Sequence, residues 1–216
     1  MRAIALLTAA GLMIHAPAVT AQMADPDNPV EGGGTLPAGW AARTDGDRPM
    51  ANVKFVTMGN GLHVTLGPAA IFWREADRVS GPFHAEVTYT QTKAPQHPEA
   101  YGMFLAGQDL KEAGQSYVYF LVRKDGKFLV KRRTGTTTSN VTEGWTDHAA
   151  VVKEDAAGKA TNKMEIAVDA AGKVSFKVNG QEVHTMTDPA ATRGVVGLRV
   201  NHNLDLHIAG FGVHPM

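Results

Sequence analysis

Apolar and polar residues alternate along this chain with a period of two, in short runs separated by turn residues. The run "FHAEVTYTQ", residues 83–91, is the clearest: Phe83, Ala85, Val87 and Tyr89 point one way, His84, Glu86, Thr88 and Thr90 the other. "VKFVTM", "LHVTLG", "AIFWRE", "YGMFLAG", "SYVYFLVR", "KFLVKRR", "KMEIAVD", "KVSFKV", "EVHTM", "VVGLRV" and "LDLHIAGFGV" continue the series. Gly59-Asn60-Gly61, Gly67-Pro68, Asp125-Gly126, Ala171-Gly172 and Asn179-Gly180 punctuate it. No window carries a 3.6-residue apolar period, and "GQDLKEAGQ" offers at most one helical turn. About a dozen strands at regular spacing without helices predict an all-β chain, folded as an antiparallel two-sheet sandwich or a barrel.

The Asp125-Gly126 hairpin divides two strands that are apolar on both faces. A two-residue loop would pair Arg123 with Phe128, Leu121 with Val130 and Tyr119 with Arg132. One face then carries Tyr117, Tyr119, Leu121, Arg123, Phe128, Val130 and Arg132; the other, with Val118, Phe120, Val122 and Leu129, reads as core. Aromatic rings interleaved with two arginines suit stacking and hydrogen bonding, so the first face is a candidate binding surface. The alternative is that it packs beneath a loop.

The N-terminus departs from the β pattern. Arg2 precedes an apolar stretch from Ala3 to about Ile14, and Val19-Thr20-Ala21 resembles a signal-peptidase site, so residues 1–21 read as a cleaved signal peptide. That stretch is shorter than the ~20 residues that span a bilayer, and no later segment is a membrane-span candidate. An exported protein, periplasmic or secreted, is expected. Residues 22–38, rich in Pro, Gly and Asp, read as a flexible lead-in to a domain over 39–216. The chain has 216 residues, 21 basic against 21 acidic side chains and no cysteine. Neutral balance argues against a nucleic-acid partner, and without cysteine stability must come from the core.

The succession "GLHVTLGPAAIFWRE", "FHAEVTYTQ", "EAYGMFLAG", "QSYVYFLVRKDGKFLVKR" and "TNKMEIAVDAAGKVSFKVNGQEV", closed by "GVVGLRV" and "LDLHIAGFGV", resembles the concanavalin A-like lectin/glucanase superfamily. It is similar in particular to exported bacterial domains of the laminin-G and 3-keto-disaccharide hydrolase type. The resemblance covers roughly residues 39–213 and implies a two-sheet antiparallel jelly-roll sandwich whose concave face holds carbohydrate. The paired-carboxylate run of the family's glucanases, Glu-x-Asp followed closely by a second Glu, is missing from this chain.

In "GLRVNHNLDLHI", residues 197–208, Asn201-His202-Asn203 is turn chemistry between a strand over 194–200 and another over 204–213. His202 then sits at a tip, and Asp205 and His207 point together, away from Leu204, Leu206 and Ile208. Three readings stand: a solvated polar edge, a set of sugar contacts, or part of a metal site completed by His63, His84 or His148. The hydrolase resemblance implies a further role, with His202 or His207 as base and Asp205 orienting it. Trp73 is either a stacking platform or core, and Trp40 and Trp145 are open to the same two readings. The expected protein is thus an exported carbohydrate-binding sandwich that uses Trp73, Tyr117, Tyr119, Arg123, Arg132, Asn201, His202 and His207, with no cofactor and no assigned metal. A sugar-active hydrolase and an envelope protein-interaction domain are the alternatives.

Overall fold

The computed structural model describes residues 26–216, so the expected signal peptide lies outside the described residues. Fifteen strands follow one another: β1 Ala41–Thr44, β2 Val53–Met58, β3 Gly61–Leu66, β4 Ala70–Ser80, β5 Phe83–Gln91, β6 Ala100–Gln108, β7 Ser116–Arg123, β8 Lys127–Thr134, β9 Thr137–Asn140, β10 Thr146–Asp147, β11 Ala160–Val168, β12 Lys173–Val178, β13 Gln181–Thr187, β14 Arg193–Val200 and β15 Asp205–Pro215. Three short 3-10 turns, at Asp45–Asp47, Met50–Asn52 and Pro189–Thr192, are the helical structure among the described residues. No helix there is long and apolar enough to cross a membrane.

The strands form two antiparallel sheets. The first runs β1-β4-β14-β6-β7-β8-β10, with β9 also paired to β8; the second runs β13-β12-β11-β5-β15-β3-β2. The period-two pattern decides which side chains lie between them. In β5, Phe83, Ala85, Val87 and Tyr89 are buried while the residues between are half-exposed, as the alternation predicts. Across the interface Phe55 stacks on Phe72 (centroids 4.3 Å apart) and Phe120 meets Phe176 (5.1 Å). The hydroxyl of the buried Tyr89, on the second sheet, donates to the Gly102 carbonyl of the first at 2.7 Å. That bond satisfies a polar group that burial would otherwise penalise.

Two local expectations change. The Asp125-Gly126 hairpin has a three-residue loop: Arg123 pairs with Lys127, Leu121 with Leu129, Tyr119 with Lys131 and Tyr117 with Arg133. Gly126, at φ +86°, takes the left-handed position that closes such a loop. One residue of slip reverses every side chain of β8. Phe128, Val130 and Arg132 therefore join the core-side face of Val118 and Phe120, and Leu129, Lys131 and Arg133 join Tyr117 and Tyr119.

The lead-in, expected to be flexible, is docked over its described part. Gly34 N–H donates to Val53 O (2.9 Å), Leu36 packs on the core, and Asn203 accepts from Asn28 N–H (2.8 Å) while donating to Pro26 O (3.0 Å). A Cβ at Gly33 would stand 2.2 Å from Ala51 O, so only glycine allows this approach.

Candidate functional site

Alternation on the first sheet turns a second set of apolar side chains away from the main core. Ile71 and Trp73 of β4, Phe104 of β6, Tyr117, Tyr119 and Leu121 of β7 and Val195 of β14 form a separate cluster on the outer face. Phe104 meets Tyr117 at 5.2 Å and Tyr117 meets Tyr119 at 5.5 Å between centroids. The Phe104 ring lies over Gly197, where a Cβ would stand 2.5 Å from it. Leu110, from the segment between β6 and β7, belongs to the cluster, and Trp145, from the segment before β10, packs against it. Neighbours leave Trp73 1%, Tyr117 2% and Tyr119 6% exposed. Both tyrosine hydroxyls lack a hydrogen-bond partner among the described residues. Burial pushes the Tyr119 phenol above its ordinary value, so it stays a proton donor.

Charged groups sit on and around this cluster in a definite pattern. Arg123 forks onto Asp125 at 2.7 and 2.8 Å, with its guanidinium 4.4 Å over the Trp145 ring. Arg199, on β14, forks onto Asp45 at 2.8 and 2.6 Å, and Arg133 reaches the same carboxylate at 2.9 Å. The Arg199 guanidinium is 5.8 Å from the Tyr119 ring. Burial raises the Asp45 pKa, but the hydrogen bonds and charges of Arg199 and Arg133 outweigh it and hold the carboxyl below its usual range. Asp45 thus ties the first 3-10 turn to the face and neutralises an arginine that would otherwise be buried alone.

The structure divides the residues singled out from sequence. Tyr117, Tyr119 and Arg123 stand together on the first sheet's outer face. Trp73 is there too, but as core: its indole N–H donates to Glu75 at 3.3 Å and its ring is covered. Arg132 is on the other side, reaching Asp188 at 2.5 Å, because of the hairpin register. Trp40 packs edge-on against Phe55 (5.0 Å) and carries the Arg74 guanidinium at 5.1 Å.

Asn201 and His202 lie in the turn from β14 to β15, which passes from one sheet to the other, and His202 Nε2 is 3.4 Å from Glu99. Asp205 and His207 are on β15, with His207 opposite His63 of β3 on the second sheet's outer face. Asp205 is 3.1 Å from His63 Nε2, and it accepts from Thr65 (3.1 Å) and, in a short bond, from Thr92. Burial raises its pKa; Thr92, His63 and Lys93 outweigh that and hold it below the usual range. Asp205 therefore orients His63, and His202, Asp205 and His207 do not form one centre. The sequence reading missed the Asp45–Arg199 pair. Its signal was a lone arginine inside the apolar run "VVGLRV".

No protein-family model matches the sequence, and no curated protein does. Solved structures share the fold. The carbohydrate-binding module CBM66 from Bacillus subtilis superposes with a TM-score of 0.61 at 10% identity, over 87% of this chain and 99% of that one. A Bacillus subtilis protein of unknown function with a galectin-like fold gives 0.57 at 13% identity, over 81% and 88%. A native glycosidic hydrolase gives 0.53 at 10% identity, over 81% and 88%. The two-sheet antiparallel sandwich expected from the sequence is the fold of this chain.

Proposed function

We propose that this is an exported carbohydrate-binding protein, and that a glycan docks on the outer face of the first sheet, where the Arg123 side chain and only the edges of Tyr117 and Tyr119 reach the surface. The observation that carries the reading is an asymmetry between the two outer faces. The first sheet carries a packed aromatic cluster on that side, with the half-buried Trp145 against it, while the central strands of the second present His, Thr, Glu and Lys. A sugar ring needs an apolar contact for its C–H face and directional partners for its hydroxyls. Tyr117 and Tyr119 bring hydroxyls with no bond to the described residues, and Lys131, opposite Tyr119, adds an ammonium. Arg123 is held in place by Asp125 and Trp145. Export rests on the N-terminal pattern of Arg2, the apolar stretch and Ala21. The shared fold of CBM66 supports the binding reading without assigning a ligand.

A glycan array followed by calorimetry tests it. Tyr119→Phe keeps the packing and removes one hydroxyl, so affinity falls about threefold to tenfold, the worth of one hydrogen bond. Arg123→Gln weakens binding likewise, and His202→Ala leaves it unchanged. A protein that binds no glycan, or binds one equally in all these variants, refutes the proposal. N-terminal sequencing of the exported protein should begin at Gln22.

A further inference from the structure

The second sheet's outer face gathers two imidazoles and two carboxylates from three adjacent strands. His84 and Glu86 are two apart on β5 and share that face. Glu165 of β11 pairs with Glu86, and His214 of β15 pairs with His84. Ligating atoms of His84, Glu86 and Glu165 all lie within 4.8 Å of one another, and His84 Nε2 is 3.4 Å from Glu165 Oε1. The His84 and His214 rings are near-parallel, 19° apart in plane with centroids 6.4 Å apart. A bulge between Ala209 and Gly212 re-phases β15 and brings His214 opposite His84. Gly212 gives the ring room, since a Cβ there would stand 2.7 Å from His214 Nε2.

We propose that His84, Glu86, Glu165 and His214 bind a divalent first-row transition ion, with zinc as the type case. Ligand atoms around zinc at ~2.1 Å are roughly 3.4 Å apart in a tetrahedron. The His84–Glu165 pair already has that spacing, and the remaining groups, the half-buried Glu86 and the exposed His214, reach it by side-chain rotation. Two imidazoles favour zinc, cobalt, nickel or copper over calcium and magnesium, which prefer oxygen alone. The Lys163 ammonium now neutralises the carboxylates, 2.7 Å from Glu86 and 3.6 Å from Glu165. It is exposed, on a flexible stem, and a doubly charged ion displaces it outward. Lysine and metal compete for one place. Bound metal would strap β11, β5 and β15 together on the side of the sandwich away from the proposed glycan face, so the two sites are independent.

Untagged protein titrated with zinc chloride by calorimetry, and with cobalt by visible absorption, tests this. One equivalent binds, and excess zinc raises Tm until a chelator reverses it. His84→Ala, His214→Ala and Glu165→Gln each weaken zinc binding at least about tenfold, the least expected for a lost ligand. Lys163→Ala strengthens it, an effect no merely structural role predicts, and His63→Ala and His207→Ala leave it unchanged. These substitutions, at exposed or half-buried positions of the outer face, leave the circular dichroism spectrum unaltered. Absence of saturable binding overturns the proposal. So does binding that survives His84→Ala and His214→Ala but is lost in His63→Ala or His207→Ala.

Discussion

Replacing Asp45 by Asn separates charge from shape at the ion pair that holds the buried Arg199. The amide occupies the same space but leaves Arg199, whose side chain is 7% exposed, without its counter-charge. Removing one partner of a buried pair costs about 3–5 kcal/mol, because the remaining charge stays desolvated. Asp45 is 33% exposed, so water reaches its side of the pair. The lower end, about 3 kcal/mol, is therefore the expected loss. For a domain of this size each kcal/mol moves Tm by about 2–4 °C, which places the variant about 6–12 °C below the parent. The reverse change, Arg199→Met, costs less, since Asp45 keeps Arg133 at 2.9 Å and its contact with water. The double variant recovers most of the loss, because an apolar group then fills the buried position without an unpaired charge. Urea denaturation of the four proteins forms a double-mutant cycle that reads the coupling directly. A loss below about 1 kcal/mol for Asp45→Asn, or a double variant as unstable as that single one, refutes the view of Asp45 as the neutraliser of a buried charge.

Two further outcomes follow from particular contacts. Asp205 has a folded pKa below its unfolded value near 3.9, so its contribution to stability is complete above that value and is lost as pH falls through the folded pKa. The stability gap between the parent and Asp205→Asn is therefore widest near neutrality and closes in acid; a gap independent of pH in chemical denaturation contradicts this. Gly33→Ala drives a Cβ into the Ala51 carbonyl at a cost of about 1–3 kcal/mol. The cost falls on the docked lead-in, so limited proteolysis should cut within residues 26–38 of the variant while the sandwich resists. Equal protection of both proteins would show that the lead-in does not depend on that approach.

How far the sequence reveals this molecule depends on how local each determinant is. The alternation in 83–91 predicts the buried and half-buried positions of β5, and Asn201-His202-Asn203 marks the break between β14 and β15. Asn179-Gly180 forms the two-residue turn its composition suggests, with Val178 paired to Gln181 and both turn residues at positive φ. Asp125-Gly126 does not, because Asp-Gly suits a left-handed glycine in either a two- or a three-residue loop, and the dipeptide does not distinguish them. That single residue exchanges Arg132 for Arg133 on the candidate face. The burial of Trp73 is set by Phe104, Leu110 and their neighbours, distant in sequence, so no pattern within "AIFWRE" reveals it. The lead-in looks unstructured by composition because its anchoring relies mainly on hydrogen bonds and glycine clearance, with Leu36 adding an apolar contact.

The strand order sets a schedule for assembly. β14 fills the gap between β4 and β6, and β15 fills the gap between β5 and β3, so two strands that follow all the others in sequence occupy interior places, one in each layer. Until they leave the ribosome, each sheet is two fragments with open hydrogen-bonding edges. Neither layer can close progressively during synthesis. Such late, long-range pairing places folding on the slow, millisecond-to-second side of the range for single domains. A chain that stops before Arg193 would expose four unpartnered edges at once.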